Sequence, residues 1–68
     1  MEKQIIKNNL REYRLKAGLT QEVVVKAIGL QSNNRLCRWE QGKAYPSIVN
    51  LLKLSKIYKV PCEALYQI

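Results

Sequence analysis

Apolar residues along the chain recur at intervals of three or four positions, which is the spacing of one buried helical face and not the alternation of a strand. The clearest stripe consists of Ile48, Leu51, Leu54 with Ser55, and Tyr58. An earlier stripe consists of Ile6, Leu10, Tyr13 and Ala17. The two stripes predict a first helix that ends at Gly18, a suitable left-handed residue, and a fourth helix that follows Pro46 and Ser47.

A second helix is predicted over residues 21–28, between the N-cap Thr20 and the terminating Gly29. The valine run at 23–25 within it also suits a strand, because β-branched residues favour strands. The cap, the glycine and the lack of a partner strand in the pattern favour the helix.

A third helix is predicted from Asn33 to about Gln41, capped by Ser32, with Leu36 and Trp39 on its inner face. If Gln31 is the cap instead, the outward-facing positions move by one residue.

Pro61 suits the first position of a short fifth helix that runs through Tyr66. The pattern contains no internal repeat, linker or low-complexity stretch. We therefore expect an all-α fold, a compact five-helix bundle, as a single domain over residues 1–68.

The composition narrows the chemistry that the chain can perform. Its five acidic residues are all Glu, and the sequence contains neither Asp nor His. These absences exclude histidine acid–base catalysis, aspartate nucleophiles and His-containing metal sites. The two cysteines, Cys37 and Cys62, do not form a C-x-x-C metal motif. We expect no enzyme, no catalytic residue, no metal site and no cofactor.

The net charge is +7, from 12 basic and 5 acidic residues, and it favours a polyanionic partner such as nucleic acid. The alternative, which explains the net charge equally well, is that it only keeps the protein soluble. No apolar run approaches the roughly 20 residues of a membrane span, and the first residues do not form a secretory signal. We expect a cytoplasmic protein with no membrane partner and no evident small-molecule effector.

Three strings of the sequence are more specific than its spacing: RxxxGLTQE at 14–22, RWEQGK at 38–43 and PSIxxLLxL at 46–54. In this order, over roughly residues 6–66, the chain resembles the XRE-type helix-turn-helix family, the Cro and phage-repressor class. The resemblance implies a lambda-repressor-like DNA-binding domain of bacterial or phage origin. Its helix-turn-helix would lie at about 21–41, with the third helix in the DNA major groove, usually within a dimer.

The start of the third helix supports a role in binding DNA. It contains no acidic residue, and the positive charge of Arg35 is unfavourable beside the positive end of the helix dipole. A bound phosphate or base edge would offset this unfavourable interaction. An exposed arginine of no functional importance is the alternative. Asn33, Asn34 and Arg38 fall on the family's base-reading positions, where Asn pairs with adenine and Arg with guanine.

Residues around this helix are expected to contact DNA phosphates. Such contacts fix the position of a protein along the duplex but do not read the base sequence. The candidates are Gln21, Ser32, Arg35, Lys43 and Tyr45. By resemblance, Gln21 is the family's phosphate-contacting or buttressing glutamine. For each of them, a solvated polar side chain is the alternative.

By resemblance, Arg14 and Glu40 form a partly buried ion pair that connects the first helix to the third. The alternative is that they are two unrelated surface charges.

Two positions depart from the family's pattern. The span from Gly29 to Trp39 is one residue longer than the commonest spacing, which enlarges the turn before the third helix. Lys59 stands where glycine is frequent, and a left-handed Lys there would cost about 1 kcal/mol.

The resemblance implies sequence-specific binding of double-stranded DNA by a small transcriptional regulator, most simply a repressor that occupies a promoter as a homodimer. The expected dimer contact is the corner between the fourth and fifth helices, with the tail: Ile57, Pro61, Cys62, Leu65 and Ile68. The alternative function is an antitoxin-type interaction module that regulates its own promoter.

Overall fold

The structure, a computed structural model, describes residues 7–66 of the chain. Its helices are α1 (Leu10–Lys16), α2 (Gln21–Ile28), α3 (Asn34–Gln41), α4 (Ile48–Tyr58) and α5 (Cys62–Leu65). Within the described range there is no strand, and a single isolated bridge joins Asn8 to Tyr66. The predicted all-α fold of five helices is confirmed.

α1 is shorter than the predicted first stripe. It begins at Leu10, and Ile6 lies outside the described residues. The backbone before it is held by other elements, because Asn9 N donates to Leu65 O at 2.8 Å and the Asn9 side chain donates to Ala64 O at 3.0 Å. Ala17, the last member of the stripe, is exposed at the C-cap and not buried.

α2 and α4 begin at side-chain caps, of which the Thr20 cap of α2 was predicted. The Thr20 hydroxyl accepts a hydrogen bond from Val23 N, and the Ser47 hydroxyl accepts one from Asn50 N, each at 3.2 Å. The valine run at 23–25 is helical, and two of its three side chains are buried. The cap therefore outweighs the β-branched composition of the run.

Left-handed residues end three of the helices. Gly29 follows α2 with φ 86°, and Gly42 follows α3 with φ 80°. Lys59 follows α4 with φ 59°, and it is the one positive-φ residue other than glycine within residues 7–66. The left-handed lysine considered in the sequence analysis is therefore present.

α5 is one residue shorter at each end than predicted. Pro61 is its N-cap, in an extended conformation with ψ 157°, and Tyr66 is its C-cap. A proline can occupy a cap as readily as the first helical turn, because neither position needs its missing N–H group.

The core consists of apolar side chains from all five helices: Leu10, Val24, Val25, Ile28, Leu36, Trp39, Leu54, Tyr58 and Leu65. α2 packs against α3 and α4, while α1 packs against α3 and α5 against α4. The stripe predicted for α4 holds for Leu54 and Tyr58, but Ile48 is 77% exposed. Ile48 is the first residue of α4, at the edge of that stripe, and the core does not extend to it.

Candidate nucleic-acid interface

α3 is fixed in rotation by its inner face. Leu36 is fully buried and Trp39 is 4% exposed, so both side chains anchor α3 in the core. The remaining faces of α3 therefore turn outward, and α2 lies against it across the turn at 29–33. Two helices joined by a tight turn form a helix-turn-helix.

The first residue of α3 is Asn34, with Asn33 as the N-cap, so the predicted start and the predicted cap Ser32 are each wrong by one residue. Gln31 is not the cap either. The Ser32 hydroxyl accepts a weak bond from Asn34 N at 3.4 Å. The turn between α2 and α3 spans residues 29–33, and α3 begins one residue later than predicted.

The three predicted base-reading side chains all lie on the surface. Asn33, Asn34 and Arg38 are exposed, and no other part of the described chain covers them. Asn34 and Arg38 are four residues apart and therefore share one face of α3, with Asn33 at its end. This face carries amide and guanidinium groups, which are hydrogen-bond donors and acceptors of the kind that can pair with base edges.

A buried ion pair lies behind that face, between α1 and α3. Arg14 Nε donates to Glu40 Oε2 at 2.7 Å, and Arg14 Nη2 donates to Glu40 Oε1 at 3.3 Å. The two side chains are only 9% and 5% exposed. Arg14 Nη1 also donates to Leu19 O at 3.0 Å. The predicted pair is therefore present, and it is bidentate.

Gln21 connects this ion pair to the start of α3. Its Nε2 donates to Glu40 Oε1 at 3.0 Å, and its Oε1 accepts from Asn33 Nδ2 at 3.4 Å. Because a carboxylate only accepts hydrogen bonds, Glu40 determines that the Gln21 oxygen faces Asn33. Gln21 therefore supports Asn33 from within the domain, in addition to any phosphate contact.

An open groove of about 350 Å³ lies between α3 and the start of α4. Arg35 and Arg38 line it from α3, and Tyr45 lines it from the connection. Tyr45 is 53% exposed and lies beside Tyr66, with ring centroids 6.0 Å apart. Lys43 is also exposed in this connection. Arg35 and Arg38 thus line one groove beside the outward face of α3, and Lys43 follows the C-terminal end of the helix.

The cysteines are free and half-buried. Gln41 Nε2 donates to the Cys37 sulfur at 3.4 Å on α3. Within residues 7–66, no group of three or more His, Cys, Asp or Glu side chains could hold a metal ion, and no helix is both long and apolar enough to cross a membrane.

Two buried tyrosine hydroxyls have no hydrogen-bond partner among the described residues, those of Tyr58 and Tyr66. Burial raises the pKa of Tyr58 to about 12, and the charge of Glu40 contributes to this rise. Burial likewise raises the pKa of Tyr66 to about 12, with a smaller contribution from Tyr45. Both phenols are therefore held neutral to high pH.

The predicted dimer contact needs correction at one residue. Leu65 is fully buried in the chain's own core and presents no surface to a second copy. Ile57 and Cys62 are half-buried, Pro61 is exposed, and Ile68 lies outside the described residues.

Within residues 7–66, α4 carries an exposed aliphatic cluster that was not predicted: Ile48, Val49 and Leu52. A signal for it was present, since Val49 and Leu52 are apolar residues that lie off the predicted buried stripe.

The helix-turn-helix family model matches the chain over residues 10–65, which include all five helices and the face of α3 described above. The chain belongs to the XRE-type helix-turn-helix family. It is accordingly a DNA-binding transcription regulator.

Two solved structures resemble this XRE-type chain. The restriction-modification controller protein C.AhdI from Aeromonas hydrophila is 32% identical, with a TM-score of 0.72 over 82% of this chain and 83% of that one. A hypothetical transcription factor, NHTF, from Neisseria is 21% identical, with a TM-score of 0.69 over 82% of this chain and 63% of that one, and it supports the fold alone. No curated protein sequence matched.

Proposed function

We propose that this XRE-type regulator binds double-stranded DNA sequence-specifically by placing α3 in the major groove. The single observation that carries the proposal is the exposed face of Asn33, Asn34 and Arg38 on a helix whose opposite side is locked in the core. Asn can pair bidentately with adenine and Arg with guanine, and each such pair discriminates by about 1–3 kcal/mol.

The surroundings of this face suit the DNA backbone. Arg35, Lys43 and Tyr45 are exposed beside it, and the chain carries a net charge of +7. We assign these side chains, together with Ser32 and the first turn of α2 at Gln21, to contacts with phosphate. Such contacts supply affinity and register, while the base contacts supply the sequence preference.

We further propose that two copies bind a palindromic operator and repress transcription by occupying a promoter. α3 is only eight residues long and offers three base-reading side chains, which is little for a specific site. A two-fold pair on half-sites about 34 Å apart doubles the contacts. The similarity to C.AhdI, which is described as a controller protein, supports a regulatory role.

Selection from a pool of random duplexes with the purified protein tests this function. We expect a recovered palindrome with half-sites one helical turn apart, because two copies of α3 would face the same side of the duplex. Equal affinity for all duplexes would contradict sequence-specific binding. A recovered site without two-fold symmetry would contradict the pairing.

The Arg38→Ala and Lys43→Ala variants separate base reading from phosphate contact. Arg38→Ala should cost about 1–3 kcal/mol on the selected site and flatten the preference at one base pair. Lys43→Ala should weaken binding to all duplexes alike and reduce the slope of log affinity against log salt by about 1. Each variant is the control for the other, and an interchange of the two patterns would overturn the assignment.

A further inference from the structure

The outward face of α3 extends beyond the side chains that are assigned to base reading. Gln41, the last residue of the helix, is exposed. It lies seven residues after Asn34 and three after Arg38, a spacing that places the three side chains in one row along the helix. Leu36 and Trp39 are buried on the opposite side and hold this row outward. Gln41 therefore continues the row to the C-terminal end of α3.

The Gln41 side chain is held by a neighbour on the same helix. Its Nε2 donates to the sulfur of Cys37, one turn earlier, at 3.4 Å. Cys37 is half-buried, on the flank between the inner face and the outward row. This hydrogen bond directs Nε2 toward Cys37 and leaves Oε1 on the other side of the amide. Because an amide nitrogen carries two hydrogens, Oε1 and one N–H group stay free for another molecule.

The free groups of this amide match the edge of an adenine. In the major groove, adenine presents the N6 donor and the N7 acceptor, and a glutamine amide can pair with both. Oε1 of Gln41 would accept from N6, while the free N–H of Nε2 would donate to N7. A side chain that Cys37 already holds loses less conformational freedom on binding than an unrestrained one. The hydrogen bond within α3 therefore favours the contact with DNA.

The place of Gln41 at the end of α3 disfavours a phosphate as its partner. The C-terminal end of a helix carries a partial negative charge from its free carbonyl groups, and this charge repels an anion. The Gln41 amide has no positive charge that would offset the repulsion. The nearby cation for the DNA backbone is Lys43, two residues further along the chain. A neutral amide here is better suited to base edges, which carry no net charge.

The length of α3 is compatible with base contacts along the whole row. Its eight residues span about 12 Å, which is also about the width of the major groove. Gln41 lies three residues after Arg38, or about 4.5 Å along the helix axis. Successive base pairs are about 3.4 Å apart. The base pairs that these two side chains would meet are therefore neighbours.

We propose that Gln41 is a further base-reading side chain, which pairs with an adenine beside the base pair read by Arg38 and is positioned by Cys37. The inference rests on the proposed function, because it requires α3 to lie in the major groove. Cys37 is a positioning residue, which acts through the Gln41 amide and need not touch the DNA.

The Gln41→Ala variant tests the base contact, and Gln31→Ala is its matched control. Gln31 is also an exposed glutamine, but it lies in the turn before α3. Both variants and the wild type select from the same pool of random duplexes. Gln41→Ala should lose about tenfold of the preference for adenine at one base pair, beside the one that Arg38→Ala affects. Gln31→Ala should keep the wild-type preference at that base pair.

Altered chemistry at the same base pair tests the two hydrogen bonds. The base 7-deazaadenine keeps N6 but lacks the N7 acceptor. The wild type should bind a duplex that contains it about fivefold or more weakly, whereas Gln41→Ala should bind both duplexes equally because its contact is already absent. In the Gln41→Glu variant, the carboxylate can only accept, so the preference should change from adenine toward cytosine, whose N4 donates.

The Cys37→Ala and Cys37→Ser variants test the positioning role. Cys37→Ala removes the acceptor and should reduce the preference for adenine at that base pair by about two- to tenfold. Cys37→Ser restores an acceptor, the hydroxyl oxygen, and should retain the wild-type preference. A general effect on folding would not distinguish the two variants in this way, and circular dichroism should show the same helix content in both.

An unchanged adenine preference in Gln41→Ala would overturn the base contact. Weaker binding of that variant to all duplexes alike would overturn it in favour of a phosphate contact. If Cys37→Ala and Cys37→Ser both matched the wild type, the positioning role would be wrong. If the wild type itself selected no sequence, the proposed function would fail, a result that differs from a selected site at which Gln41→Ala behaves like the wild type.

Discussion

At the scale of single residues, a chain of polar contacts runs from the core to the outward face of α3. Arg14 pairs with Glu40, Glu40 holds Gln21, and Gln21 accepts a hydrogen bond from Asn33. The buried carboxylate thus has two roles: it neutralises Arg14 and it orients the Gln21 amide. A change at Glu40 should therefore affect both the stability of the domain and the orientation of Asn33.

The Glu40→Gln variant should be less stable by about 3–5 kcal/mol, because it leaves the buried Arg14 charge without its counter-ion. Thermal and urea unfolding followed by circular dichroism measure this loss. Glu22→Gln is the matched control, since Glu22 is exposed in the first turn of α2 and its charge is worth a few tenths of a kcal/mol. Equal stability of the two variants would show that the pair contributes nothing.

Sequence reasoning identified the exposed residues of α3 because Leu36 and Trp39 fix the rotation of that helix. It gave Gln21 a phosphate-contacting or buttressing role by resemblance but missed its hydrogen bond with Asn33, since hydrogen bonds between side chains depend on rotamers that no spacing specifies. It also placed Ile48 in the core. A stripe of apolar residues indicates which face of a helix is buried. It does not indicate how far along the helix the neighbouring elements cover that face.

At the scale of helices, hydroxyl caps begin α2 and α4, and left-handed residues end α2, α3 and α4. The Thr20 cap was predicted, and Ser47, which the sequence analysis placed just before α4, is a cap as well. The start of α1 was not predicted, although Asn8 is a short polar residue just before it whose Oδ1 accepts from Leu10 N at 3.0 Å. The side-chain amides of Asn8 and Asn9 also donate to Trp39 O and Ala64 O, partners 31 and 55 residues away that no local pattern indicates.

Lys59→Gly should stabilise the domain by about 1 kcal/mol, because a left-handed lysine is strained where glycine is not. For a domain of this size, that gain corresponds to a rise in Tm of about 4–8 °C. The control is Lys56→Gly, within α4, which should destabilise by about 1 kcal/mol. A lower Tm for Lys59→Gly would indicate that the lysine side chain stabilises this turn more than its backbone strains it.

At the scale of the whole molecule, nine buried apolar side chains and one buried ion pair hold 60 described residues together. So small a core leaves a thin margin of stability. Tyr58 and Tyr66, whose hydroxyl groups are buried, make part of that margin depend on pH. Each is neutral in the folded chain over a range in which an exposed phenol would ionise.

The free energy of unfolding should fall as the pH rises from about 10 to 12. Folding raises the pKa of Tyr58 from 10.0 to about 12, so its contribution is complete below pH 10 and is lost as the unfolded phenol ionises. Each pKa unit by which the folded and unfolded chains differ corresponds to about 1.4 kcal/mol in the free energy of unfolding. Urea unfolding across this range should show a shallower fall for Tyr58→Phe than for the wild type.

Tyr45→Phe is the control for this measurement, because its side chain is 53% exposed. It should follow the wild-type curve more closely than Tyr58→Phe does. Identical slopes for the wild type and Tyr58→Phe would mean that the buried Tyr58 phenol is not linked to unfolding.

The bridge between Asn8 and Tyr66 brings the two ends of the described chain side by side. A short peptide could therefore join them, and new termini could be opened in an exposed connection such as that between α3 and α4. The helices would then follow one another in a permuted order around the same core. Chain segments attached directly at Asn8 and at Tyr66 would leave the described fold from neighbouring positions.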